Sequence, residues 1–262
     1  MDSAPIYHFP RYYDIVFARD VEHEVAFIRD LFVRQMGRPL ASLVELACGP
    51  GYHARAFARQ GATVFGLDLS PEMIEFARAE TRSDPAAASM SWQVANILDF
   101  SLPALVDCAI CMFDGLDSLL TNAELVQHLR AVGRNLAPGG LYVLQLTHPR
   151  QASYDHYGPF HYQAERDGMS IALNWGVNDP SYDLVTGVAQ VEIETTITTA
   201  AGRDVSRAGH SERLILPQEM ALMAQLSGAL EVMDWYGDFD PRVRLDNTPR
   251  SQCMLGVLRK AA

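Results

Sequence analysis

Along the first 150 positions apolar residues follow two periods in turn. Ile15, Phe17, Val21, Val25, Phe27, Ile28, Leu31 and Phe32 recur mostly three or four apart, which predicts one amphipathic helix over residues 12–36, ended by Gly37 and Pro39. Short apolar runs then alternate with helical stretches. A strand over 43–47 enters a Gly/Pro turn and a helix over 52–60. A strand over 63–68 leads to a helix opened by Ser70-Pro71-Glu72, where Ser70 can cap and Pro71 suits the first turn. Strands over 91–95 and 106–113, a helix over 122–135 and a strand over 141–147 complete the series. Repeated β-α units of this kind predict a parallel sheet with helices on both faces.

After His148-Pro149 the period changes to two. Met169, Ile171, Leu173, Trp175 and Val177 alternate with other residues, as do Ala189, Val191, Ile193, Thr195 and Ile197, and turns at 178–180 and 200–204 lead to a third run at 213–216. Half-buried antiparallel strands are the expected outcome. Residues 217–226 return to the helical period and stop at Ser227-Gly228, and 230–235 and 253–259 supply two further strands. The predicted fold is therefore a doubly wound, seven-stranded, mostly parallel sheet with an antiparallel β insertion after the fifth strand. Its expected parts are an N-terminal helix and α/β core over 1–150, the insertion over 151–216, and a last helix and strand pair over 217–262.

With 48% hydrophobic residues in 262, the chain can bury a sizeable core, which excludes a disordered protein. Its 21 basic against 32 acidic residues give a formal charge of −11, which opposes a phosphate-binding surface, so nucleic acid is not an expected partner. No apolar run approaches the roughly 20 residues that cross a bilayer, and the first residues lack a basic stretch followed by an apolar one. A cytoplasmic protein away from the membrane is expected. Cys48, Cys108, Cys111 and Cys253 are too few for a disulfide framework. Cys108-Ala-Ile-Cys111 lies in a buried-strand pattern, where residues three apart face opposite ways, so packing is expected there in place of redox or metal chemistry. No metal is expected.

The chemistry-bearing segment is Val44-Glu-Leu-Ala-Cys-Gly-Pro-Gly-Tyr-His-Ala54, a strand running through a glycine turn into a helix. Gly49 and Gly51 let the backbone turn sharply and approach a ligand at the carboxyl end of a strand. Two readings are open. Gly49-Pro-Gly-Tyr-His-Ala54 satisfies the G-x-G-x-x-A of a dinucleotide site, and Asp68 stands 19 residues after Gly49, where a ribose-binding acid belongs. That favours an NAD-dependent oxidoreductase. Three residues favour S-adenosyl-L-methionine. Glu45 sits inside the first strand and needs a partner, which a cationic ligand or a polar turn supplies. Pro50 removes an N–H that a pyrophosphate would use. Asn96 can both donate to and accept from an adenine edge.

In this order the motifs resemble the class I S-adenosylmethionine-dependent methyltransferases, and among them the small-molecule group with the sugar N,N-dimethyltransferases and small-amine methyltransferases. Glu45-Leu-Ala-Cys-Gly-Pro-Gly51 looks like the family's first motif, with Ala47 in place of the usual first glycine. Asp68 matches the acid that holds both ribose hydroxyls, Leu69 and Met73 look like adenine neighbours, and Ala95-Asn96-Ile97 occupies the adenine-binding position, where Asp is commoner than Asn96. Met112-Phe113-Asp114 resembles the segment facing methionine and substrate, and Leu136-Ala-Pro-Gly-Gly140 the turn before the fifth strand. Tyr12 and Tyr13 resemble tyrosines that close over the cofactor. The resemblance implies a cofactor site of Tyr13, Glu45, Ala47, Cys48, Gly49, Gly51, Asp68, Leu69, Met73, Asn96, Ile97, Met112 and Phe113.

In-line methyl transfer to nitrogen or oxygen of a small molecule is then the expected reaction, in which placement of the nucleophile matters most and a base helps a hydroxyl more than an amine. His148, just past the fifth strand, and Asp114, at the end of the fourth, are the candidate catalytic residues. Tyr12, His156, Tyr157, His161 and Trp175 are the candidate substrate contacts, the middle three with Tyr162 in a loop cluster of the kind that carries binding residues. Arg242 and Arg244 are expected to pair locally with acids. The expected partner is a small-molecule acceptor, and a homodimer is compatible with the insertion. A cofactor-binding subunit without catalysis of its own is the third reading.

Overall fold

The computed structural model describes residues 5–153 and 156–261. The expected helix over 12–36 is two helices, α1 (Pro10–Phe17) and α2 (Glu22–Met36). Ala18 leaves the helical region at ψ 122°, and Asp20 Oδ1 accepts the Glu22 N–H at 2.8 Å, restarting the chain as α2. The three-four spacing runs across the break because both helices bury a face. Next come β1 (Ser42–Leu46), α3 (Tyr52–Arg59), β2 (Thr63–Asp68), α4 (Pro71–Thr81) and β3 (Met90–Val94), then β4 (Val106–Cys111), α5 (Asn122–Asn135) and β5 (Leu136–Thr147). Ser70 Oγ accepts the Met73 N–H at 3.1 Å and caps α4, and Thr121 with Glu124 forms a capping box on α5.

Between β5 and the last helix lie the short β6 (Ala152–Ser153) and β7 (His156–Tyr157), then β8 (Phe160–Arg166), β9 (Met169–Trp175), β10 (Val188–Thr199) and β11 (Gly202–Arg213). The last four form one antiparallel sheet in the order β11-β10-β9-β8. The third run expected at 213–216 is corrected to Gly202–Arg213. Half of that strand is exposed and its residues are mostly polar, so its alternation is not one of apolar residues, and its register comes from the tight hairpin that pairs Thr199 with Gly202 and Val188 with Arg213. The chain closes with α6 (Pro217–Ser227), β12 (Leu230–Tyr236) and β13 (Cys253–Lys260).

The main sheet has seven strands in the order β12-β13-β5-β4-β1-β2-β3. The five from β5 to β3 are parallel, and β13 runs antiparallel to β5 and β12. Both faces are covered. Val44, Ala109, Cys111 and Leu144 pack in one apolar cluster, while Leu43, Cys108, Ile110 and Val143 pack in the other. Cys108 and Cys111 thus lie fully buried on opposite faces, and burial pushes both thiols up. A third cluster joins Ile6 and Phe17 to Tyr157, Leu173, Val191 and Ile193, seating the N-terminal segment on the insertion. Among the described residues no helix is long and apolar enough to cross a membrane.

Candidate active site

Strand order reverses at β1, which lies between β2 and β4, and at such a switch point the carboxyl ends of neighbouring strands leave a crevice. A cavity of about 560 Å³ opens there, lined at the strand ends by Ala47, Asp68, Met112 and Thr147. Tyr13 and Phe17 of α1 and Tyr162 and Trp175 of the insertion line its other side.

The turn after β1 holds three residues at positive φ, Ala47 at 52°, Gly49 at 50° and Gly51 at 75°. A Cβ on Gly51 would overlap the Trp92 indole, whereas one on Gly49 would stand 4.0 Å from Tyr13 Cε1. Gly49 therefore presents bare backbone across from the Tyr13 ring. Asp68 ends β2 beside it, Oδ2 accepting the Gly49 N–H at 2.7 Å and Oδ1 the Ser70 N–H at 2.8 Å. Burial raises the Asp68 carboxyl and these backbone bonds oppose the rise. Each oxygen keeps a further lone pair, which fits a pair of hydroxyls. Cys48 contributes to the wall with a thiol that burial pushes well up, so it lines the site as a small apolar group.

Glu45 finds its partner in the turn and the helix beyond. Its Oε2 accepts the Ala54 N–H at 2.7 Å, and its Oε1 lies 3.2 Å from His53 Nδ1, while His53 Nε2 lies 2.5 Å from Glu24. Burial works against a charged ring, but the two carboxylates outweigh it and push His53 up to about 9. The third amide of α3 is thus already capped by a carboxylate. A dinucleotide fold would offer that helix end to a pyrophosphate, and here the phosphates would meet Glu45.

Leu69 and Met73 line the same cavity, Leu69 with its side chain largely exposed and Met73 buried. Asn96 and Ile97, expected at the adenine, are not among the residues that line it. Asn96 Oδ1 accepts the Leu98 N–H at 2.9 Å, closing its own turn, and the Ile97 carbonyl meets His128 Nδ1 at 3.0 Å. Tyr13 is in the wall, but Tyr12 is not, its ring stacking on Phe9 at 5.4 Å.

Past β4, Phe113 and Asp114 also adopt positive φ, 56° and 63°, which turns both toward the cavity. Asp114 accepts from the Thr147 N–H and, at 3.0 Å, from its hydroxyl, so its carboxylate ties the end of β4 to the end of β5. Burial raises it and the Thr147 bonds oppose that. His148, expected as a catalytic residue, is not among the residues of the cavity wall. Its Nε2 donates to the Asp246 carbonyl at 2.9 Å and its Nδ1 accepts the Arg150 N–H at 3.1 Å, so both ring nitrogens are occupied in holding a loop.

On the insertion side Tyr157 and Trp175 line the cavity, whereas His161 is exposed and meets Asn174 Oδ1 at 2.6 Å. The His156 side chain lies outside the described residues. Sequence reasoning missed Tyr7, Arg19, Asp117, His210 and Glu212, all in the wall. His210 and Glu212 share one face of β11, a signal readable only once that strand is placed at 202–213. Arg242 and Arg244 pair with Asp240 and Asp234 away from the site.

Residues 43–140 match the family model described as a methyltransferase domain. The dTDP-3-amino-3,6-dideoxy-alpha-D-glucopyranose N,N-dimethyltransferase of Streptomyces fradiae is 34% identical over 136 residues, 51% of each chain. The chain spans about half the length of the curated relatives it matches first. Among solved structures, the CcbJ methyltransferase of Streptomyces caelestis superposes with a TM-score of 0.72 at 23% identity, covering 93% of this chain and 90% of that one. The amino pentose methyltransferase CalS10 of Micromonospora echinaspora gives 0.71 at 20% identity, covering 100% and 98%. The fold is the one these solved methyltransferase structures share.

Proposed function

We propose that this chain, built around a methyltransferase domain, moves a methyl group from S-adenosyl-L-methionine to nitrogen or oxygen of a small molecule. The observation that carries the reading is the Asp68 carboxylate, fixed by the Gly49 and Ser70 amides beside a helix end already capped by Glu45. Such a site suits a ribose diol on a ligand without phosphates. Asp68 would hold the hydroxyls, Leu69 and Met73 the adenine, and Gly49 the close backbone approach, with Met112 and Phe113 at the methionine end. Bound there, the cofactor supplies a methyl group on a cationic sulfur that leaves readily. The protein's own contribution is placement and exclusion of water: α1 and the insertion cover the strand ends, and Asp114 holds the ends of β4 and β5 together. The names of the matched relatives support amino sugars as the first acceptors to try.

Incubation with S-adenosylmethionine and a panel of amino sugars and matched hydroxyl compounds, followed by mass spectrometry, tests this. An acceptor should gain one methylene of mass per turnover, with equimolar S-adenosylhomocysteine. Reduction of NAD by the same panel, with S-adenosylmethionine left intact, would contradict it.

A further inference from the structure

Glu212, near the end of β11, is 7% exposed and lines the cavity. Its backbone position is pinned because the next residue, Arg213, donates its N–H to the Asp117 carbonyl at 2.8 Å. Its side chain is pinned as well. Tyr157 Oη donates to Oε2 at 2.6 Å and Trp175 Nε1 donates to Oε1 at 2.5 Å, so the carboxylate is held in one orientation from β7 and β9. Asp117 and Asp114 line the same cavity from the loop after β4. Burial raises Glu212, its two donors oppose that, and Asp114 adds to the rise; burial and then the charges of Glu212 and Asp114 push Asp117 well up.

Among the described basic groups nearby, Arg19 acts on Asp114, but none is paired with Glu212 or Asp117. Arg213 turns its Nη2 to Asn122 and Glu219, leaving Nε and Nη1 buried without partners, and Arg19 is paired with Glu24 at 3.2 Å and lies over the Phe113 ring at 4.5 Å. His210, in the same wall, is lowered by burial and stays neutral. The surrounding surface is aromatic, from Trp175, Tyr157, Tyr162 and Phe160, and aromatic faces attract a cation. Buried carboxylates without a counter-charge are costly, and a cationic ligand removes that cost where a neutral one does not.

We propose that Glu212 is the specificity-determining residue of the acceptor site, receiving the acceptor as an ammonium ion, which gives one proton to the Glu212 carboxylate to free the nitrogen lone pair for the methyl group, and so selecting amines over alcohols of the same shape. This rests on the methyltransferase reading for the identity of the cavity, and it goes beyond that reading in choosing nitrogen over oxygen and in placing the choice on the insertion.

Calorimetric titration of the protein with cyclohexylammonium and with cyclohexanol, each with and without saturating S-adenosylhomocysteine, tests it. In the wild type the ammonium should bind at least about tenfold more tightly than the alcohol, and Glu212→Gln should abolish that preference while S-adenosylhomocysteine affinity changes less than about twofold. That last affinity also reports that the variant is folded. Glu212→Asp, which keeps the charge but retracts it, should give an intermediate preference. Equal binding of the two probes, no measurable binding of either, or a preference that survives Glu212→Gln would overturn the assignment. Failure of S-adenosylhomocysteine to bind would instead remove the methyltransferase reading, and the titrations without it would still decide the role of Glu212.

Discussion

Ala47 stands where the first motif that the sequence resembles has glycine, and its φ of 52° shows what a side chain costs there. An L-residue in the left-handed region is disfavoured by about 1–2 kcal/mol, while glycine adds about 0.4–1 kcal/mol of unfolded-chain entropy. Ala47→Gly should therefore raise stability by roughly 0.5–1 kcal/mol, read as a shift in the urea midpoint at constant slope. The local motif was legible here: the turn, Asp68 and their mutual approach follow from a contiguous pattern and one spacing. His148 was not. Side chains alternate along a strand, so once Thr147 faces the cavity its neighbour points away, and adjacency to a strand end does not give direction. His148→Ala should lower stability by about 1–3 kcal/mol, because the Asp246 carbonyl and the Arg150 N–H lose a partner. Affinity for S-adenosylhomocysteine, measured on the folded variant, should change less than about twofold.

Elements with strong local signals were placed well, and those defined by distant partners were not. Thr121 begins α5 with a reciprocal pair of bonds to Glu124, at 3.2 Å from the Glu124 N–H to Thr121 Oγ1 and 2.9 Å from the Thr121 N–H to Glu124 Oε2. Thr121→Ala should cost about 1 kcal/mol, seen in thermal or chemical unfolding, and Thr121→Ser should restore most of it. The break between α1 and α2 has no proline or glycine, and the spacing of Phe17, Val21 and Val25 conceals it. The strand β11 was hidden for a related reason. Its partner β10 and the hairpin determine its register, and its cavity-facing residues are His210 and Glu212, polar positions that a search for apolar alternation passes over. On the insertion the missed residues are therefore His210 and Glu212, while Tyr157 and Trp175, named from the sequence, do line the cavity.

Across the whole molecule, the network Glu45–His53–Glu24–Arg19 joins β1, α3, α2 and the segment before α2 beneath the cavity. His53 titrates higher in the folded chain, at about 9, than the roughly 6.5 of a free histidine. Its contribution is then complete below about pH 6.5 and is lost as pH rises to about 9, a change on the order of 3 kcal/mol. Urea unfolding from pH 6 to 9.5 should show this loss, and His53→Gln should flatten it. The same network keeps Glu45 engaged with the protein, which sets the helix end against phosphate and leaves Asp68 as the proposed anchor for an adenosyl ligand. Calorimetric titration with S-adenosylmethionine, S-adenosylhomocysteine and NAD, on the wild type and on Asp68→Ala, tests that directly. Both adenosyl ligands should bind the wild type in the micromolar range, NAD should not, and Asp68→Ala should weaken the adenosyl ligands at least about tenfold. NAD binding to the wild type, or an unchanged affinity in folded Asp68→Ala, would contradict the account.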